Sequence, residues 1–193
     1  METCLITVDE QEALSFAIEL AVGQGINILD RSIQLFGDVD EAMLKRLDTG
    51  MSVLEKVGDG PITVKIESDG GDLYPGFAIA GRIRSSPCEV ITEALGNCMS
   101  VAFLIFASGD IRRARSPVVF MVHQIISELP AGKLTSIKAS VAQINREHTA
   151  FVQFLSEMTG TDESVWTELV NRAEDTYLTV DKAFDLNLVT EVC

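Results

Sequence analysis

The stretch ALGNCMSVAFLIFASGD, Ala94 to Asp110, sets the hydroxyl of Ser100 at the head of a run of small and apolar side chains. Just upstream, CEVITEALG (Cys88–Gly96) reads as a β-strand. Downstream, the apolar run is too short for a membrane span and reads as a buried helix ending near Gly109. Ser100 therefore marks the join between a strand and a helix. A buried hydroxyl without a partner is costly. Either Ser100 is a core serine bonded to local backbone, or a neighbouring group uses its oxygen.

Outward from this join the same alternation repeats. GDVDEAMLKRLDTGMSVLEKV carries Val39, Met43, Leu44, Leu47, Met51 and Leu54 at helical spacing, and ITVKIES (Ile62–Ser68) alternates as a strand. LYPGFAIAGRIRSS is predicted to be a helix with Pro75 in its first turn, and SPVVFMVHQI a continuous buried strand. A long amphipathic helix is predicted from about Leu134 to Met158, with Gly160 as its stop and Asp162 capping the next helix. YLTVDKAFDLNLVTEV closes the chain with a helix start and a short strand. Alternating units of this kind predict an α/β fold with a mostly parallel sheet. The 193 residues suit a single domain, with no internal repeat or linker-like tract.

The net charge of −14 argues against nucleic acid and anionic membranes as partners, because both bind through basic charge. Cys4, Cys88, Cys98 and Cys193 form no CxxC pair and no metal-ligand spacing, which implies reduced thiols and no metal. Cys98 has nothing basic beside it in sequence and reads as packing. METCLITVDEQEALSF lacks the features of a secretory signal, so a cytoplasmic location is expected.

His123 and His148 are the only histidines. His123 follows VVFMV at the end of a predicted strand, where catalytic groups gather in α/β folds. His148 falls on the apolar stripe of the long helix, between Ile144 and Phe151, and reads as packing. Gly70 and Gly71 in ESDGGDLYPG join a strand to a helix. Asp69 and Asp72 beside them would repel phosphate, but open glycine amides suit an oxyanion. A serine, a histidine and a glycine pair together point to acyl transfer, and spacing alone does not select an acid. No GxSxG elbow surrounds Ser100.

In order, SIQLFGDVDEAM, ITVKIESDGGDLYPGFAIAGRIRSS, ALGNCMSVAFLIFASGDIRRARSPVVFMVHQ, MTG and DTYLTVDKAFDLNLVTEV resemble the successive blocks of the Clp-type serine peptidases. These are proteolytic subunits of ATP-dependent proteases within the ClpP/crotonase fold. The resemblance runs from about Ile33 to the C-terminus. It implies stacked βα units with a long handle helix, in one domain spanning 1–193. Residues 1–32 would form an N-terminal, axial segment, and about 125–158 the handle strand and helix. It assigns Ser100 as nucleophile, His123 as general base and Asp175, in EDTYLT, as the orienting acid. Gly71 and the Val101 amide match the oxyanion donors. Gly70, Ile125 and Ile126 match substrate-binding positions, in a strand (Ile125 to Leu129) that would align the substrate backbone.

The resemblance further implies heptameric rings stacked as a tetradecamer, an AAA+ unfoldase partner and unfolded polypeptide substrates. The chain itself would need no cofactor, ATP being used by the unfoldase. The chain departs from the family pattern at Val101-Ala102 after the nucleophile, at Ile125 after His-Gln, and at Asp69 before the glycine pair. ISELPAGK stands where a glycine pair usually begins the handle strand. Such divergence suits a phage-encoded or accessory copy. A capsid-maturation or signal-peptide-type serine peptidase on the same fold remains an alternative. So does a non-catalytic ring subunit, although that would be expected to have lost a triad residue.

Overall fold

The computed structural model describes residues 15, 18, 21–127 and 131–193. The first part of the expected axial segment and the end of the expected handle strand lie outside these residues.

The strands are β1 (Ile26–Asn27), β2 (Ser32–Phe36), β3 (Ile62–Ser68), β4 (Val90–Met99), β5 (Ile111–Ala114), β6 (Val119–Val122), β7 (Thr176–Leu178) and β8 (Glu191–Val192). Between them lie α1 (Glu41–Val57), α2 (Leu73–Arg84), α3 (Val101–Ala107), α4 (Leu134–Thr159), α5 (Glu163–Val170) and α6 (Val180–Asp185). The sheet runs β1-β2-β3-β4-β5-β8, parallel from β2 onward, with β1 antiparallel at one edge. The expected α/β architecture with a mostly parallel sheet is what forms.

β4 decides where the site lies. Its first half, Ile91–Ala94, pairs with β5, whereas Asn97–Met99 pair with β6. The β3–β4 register shifts between Ile66 and Ser68 at the same level. The long strand therefore changes partner along its length, and β6 and β7 branch from it off the main strand order of the one eight-stranded sheet. That shift delivers the strand-to-helix join at Ser100 beside the end of β6.

Local signals explain the helix ends. Asp40 caps α1 by accepting from the Met43 amide, and Asp162 caps α5 by accepting from the Ser164 amide. Gly160 ends α4 in the left-handed conformation, φ 68°. All seven residues of α3 are buried. Phe103 of α3 stacks edge-on against Trp166 of α5 at 5.8 Å and against Phe120 of β6 at 6.1 Å. The helix that begins at Ser100 and the strand leading to His123 thus share one aromatic core.

The structure corrects the reading in three places. SPVVFMVHQI is not one continuous strand, because pairing is confined to Val119–Val122. Ile125 to Ser127 are not a strand, since no segment among the described residues offers them a ladder. The sequence pattern does not predict β5, because adjacent arginines in Ile111-Arg112-Arg113-Ala114 hide its alternation. Arg112 is nevertheless buried. Its guanidinium donates to the carbonyls of Gly109, Asn187 and Leu188, tying β5 to the C-terminal segment. Loss of solvent and the nearby Arg84 charge lower its affinity for the proton.

Candidate active site

Ser100 takes the N-cap position of α3, where a serine hydroxyl ordinarily accepts from the first-turn amides. Here it makes no such bond. The backbone at Ser100 has φ 53° and ψ −126°, a conformation that non-glycine residues rarely adopt. The bond from the Ser100 amide to the Met121 carbonyl (2.9 Å) and the buried helix behind it hold the residue there. The strained turn directs Oγ away from the helix and to His123 Nε2, at 2.8 Å.

His123 follows directly on β6 and is half-buried. Its Nδ1 lies 2.5 Å from the Gln124 carbonyl oxygen. A carbonyl only accepts, so Nδ1 carries the proton and Nε2 presents its lone pair to the Ser100 hydroxyl. This is the tautomer that a general base requires.

The glycine turn is held from below. The Val39 amide donates to the Gly70 carbonyl at 2.9 Å, and the Asp72 amide to the Val39 carbonyl at 2.7 Å. In this parallel bridge the Gly71 N–H points away from Val39, and it has no partner among the described residues. The Val101 N–H, in the first turn of α3, is likewise free among the described residues. Neither glycine tolerates a side chain. A Cβ on Gly71 (φ +149°) would collide with the Val39 carbonyl oxygen, and one on Gly70 (φ +108°) would meet the Ser100 Cβ at 2.6 Å.

A cleft of about 310 Å³ brings these groups together, lined by Gly71, Asp72, Leu73, Ser100, Val101, His123, Gln124, Ile125, Ile126 and Phe151. Of the residues singled out in the sequence, Gly71, Ser100, Val101, His123, Ile125 and Ile126 line this cleft. Gly70 supports Ser100 from behind. Asp175 is not part of the lining. It is exposed and borders a shallow surface depression with Arg172 and Tyr177. β6 and β7 are antiparallel with Val122 opposite Thr176, and His123 and Asp175 each lie one residue beyond this last pair. Its carboxylate has no hydrogen bond to His123 in this structure, where Nδ1 is engaged by Gln124.

Ala102, where the family pattern has glycine, is fully buried and does not line the cleft, so its methyl group leaves substrate access open. Cys98 is buried, with its thiol donating to the Ala102 carbonyl at 3.2 Å. Burial pushes that thiol well up from its ordinary range, which disfavours the thiolate a nucleophile needs. His148 borders a separate cavity of about 140 Å³ on the far side of Gln124. Three lining groups escape sequence reasoning. Phe151 reads only as part of the helix stripe, and Asp72 and Leu73 only as part of the turn; the position of these two right after the glycine pair is the available signal.

The family model for Clp protease matches residues 24–193, beginning ahead of the Ile33 expected from the sequence. The chain belongs to the Clp protease family. Among Clp relatives, the ATP-dependent Clp protease proteolytic subunit 2 of Treponema denticola is 26% identical over 165 residues, covering 84% of this chain and 81% of that one. The subunit of the same name from Borreliella burgdorferi is 30% identical over 133 residues, 67% of each chain. A point mutant of ClpP1 from Listeria monocytogenes superposes with a TM-score of 0.77 at 24% identity, covering 86% of this chain and 92% of that one. That likeness shows the ClpP fold. Among the described residues, no helix is long and apolar enough to cross a membrane.

Proposed function

We propose that this chain is a serine endopeptidase subunit of the Clp type. One observation carries the reading. Ser100 Oγ is turned away from its helix and sits 2.8 Å from a histidine nitrogen that is free to accept its proton. Ser100 attacks the scissile carbonyl carbon while His123 Nε2 takes the hydroxyl proton. The negative charge that develops on the carbonyl oxygen is met by the N–H groups of Gly71 and Val101. Each such donor is worth about 10²- to 10³-fold in turnover. The imidazolium then protonates the leaving amine, and the C–N bond breaks. Water enters, gives a proton to Nε2 and hydrolyses the acyl-enzyme, which restores Ser100.

Asp175 is the acid in this scheme. Once the imidazolium forms, attraction favours a carboxylate over the Gln124 carbonyl at Nδ1, and the β6–β7 register brings Asp175 to that end of the sheet. Ile125 and Ile126 border the cleft with backbone that is unpaired among the described residues. That backbone is available to align an extended peptide by β-addition.

The relatives' names, ATP-dependent proteolytic subunits, support the wider reading. Copies of this chain assemble into seven-membered rings stacked as a tetradecamer in the cytoplasm. An AAA+ unfoldase spends ATP to feed unfolded chains inward. Native mass measurement is expected to give a multiple of seven subunits, and a stable monomer would contradict the chambered form. Capture of Ser100 by a fluorophosphonate tests the peptidase reading itself, and the capture is expected to fail in His123→Ala.

A further inference from the structure

We infer that Asp72 makes this site select substrates with a lysine or arginine at the residue whose carbonyl is attacked. The inference rests on the peptidase reading above. Asp72 directly follows the oxyanion donor Gly71 and borders the cleft, and it is the one acidic residue in the lining among the described residues. It sits at the N-cap of α2 yet makes no capping bond, and its carboxylate has no ion-pair partner among the described residues. The nearby Asp69 is different, since its carboxylate is engaged by Asn97.

Geometry links that carboxylate to one substrate position. The scissile carbonyl oxygen must lie between the Gly71 and Val101 amides. The side chain one bond away from that carbonyl then falls beside the residues that follow Gly71. There the cleft offers Leu73 and the buried Phe151 as an apolar wall, with Asp72 exposed beside them. Lysine and arginine match this layout, with an apolar stem and a cationic tip. A substrate without that cation leaves the Asp72 charge next to the developing oxyanion, which opposes the reaction. The cation and the unpaired carboxylate therefore act on the rate as well as on binding.

The test compares aminocoumarin amides of one peptide that end in Arg, Lys or Leu. The wild-type oligomer is expected to favour Arg and Lys over Leu in kcat/KM by about fivefold, the range of a rim ion pair. Asp72→Asn is expected to remove that preference, and Asp72→Lys to reverse it. The chain's overall charge of −14 steers every basic peptide alike, so the change between wild type and D72N isolates the local carboxylate. The preference should also shrink in about 1 M salt, where the screening length falls to about 3 Å. Equal Arg/Leu ratios in wild type and both variants would overturn the inference, provided that a fluorophosphonate still labels Ser100. Absence of that labelling in wild type would overturn the peptidase reading and the inference together.

Discussion

Replacing His123 with alanine is expected to cut peptide hydrolysis by about 10⁴- to 10⁶-fold, the range seen when a member of a serine–histidine pair is removed. The size follows from the chemistry. A serine hydroxyl is a poor nucleophile until a base takes its proton, and the nitrogen positioned to do so is His123 Nε2, 2.8 Å from Oγ. Cys98 offers no substitute, because its thiol is buried and bonded to a carbonyl. Asp72 borders the same cleft, but no bond joins it to Ser100 among the described residues. The fold should survive, since His123 is half-buried, lies beyond the paired residues of β6 and is not part of the hydrophobic core. Its removal should cost no more than about 1 kcal/mol of stability. Measured together, kcat/KM and Tm check this. Loss of activity with an unchanged Tm supports the assignment, and turnover within tenfold of wild type would contradict it.

The second large effect is expected from Gly70→Ala, a residue packed behind Ser100 and absent from the cleft lining. Gly70 has φ +108°, and an added Cβ would lie 2.6 Å from the Ser100 Cβ and 3.1 Å from its Oγ. Contacts this short between carbons cannot persist, and backbone strain at positive φ adds about 1–3 kcal/mol. The easiest relief is displacement of Ser100, which already holds a strained conformation over a short helix. A shift of about 1 Å in a reacting group costs on the order of 10²-fold in rate. The expected outcome is a fall of about 10²- to 10³-fold in kcat at little change in KM, with a lowered Tm. Wild-type kcat in the alanine variant would show that Ser100 does not depend on the turn behind it.

How much of this is legible in the sequence follows from which interactions letters can express. The strand Ile62–Ser68 and the helices α2 and α4 stand where their periodicity places them; the first two bury one clear apolar face, and α4 buries its stripe only at the C-terminal end, from Phe151 to Thr159. β5 is hidden because Arg112 sits in the sheet with its charge satisfied by backbone carbonyls, an arrangement no hydropathy pattern signals. β7 escapes because Thr176–Leu178 is too short to show alternation and exists through its pairing with β6. Ile125 to Ser127, the described part of the expected strand, join no ladder among the described residues.

The site divides along the same line. Ser100 and His123 can be found because each stands at the end of an apolar element and histidines are scarce. The Gln124 carbonyl at Nδ1 cannot, since it is a backbone group, and the place of Asp175 one residue beyond the last β6–β7 pair follows only from strand register. The importance of Asp72 likewise depends on its carboxylate making no cap to α2, which its position at the N-cap would have suggested.

The central claim is that the Ser100 hydroxyl is the nucleophile, activated by His123. Mapping the adduct formed with a fluorophosphonate by mass spectrometry of the assembled protein tests it most directly. The predicted result is a single adduct on Ser100 that does not form in His123→Ala. An adduct on a different residue, or an assembled ring that takes up no reagent, would contradict it.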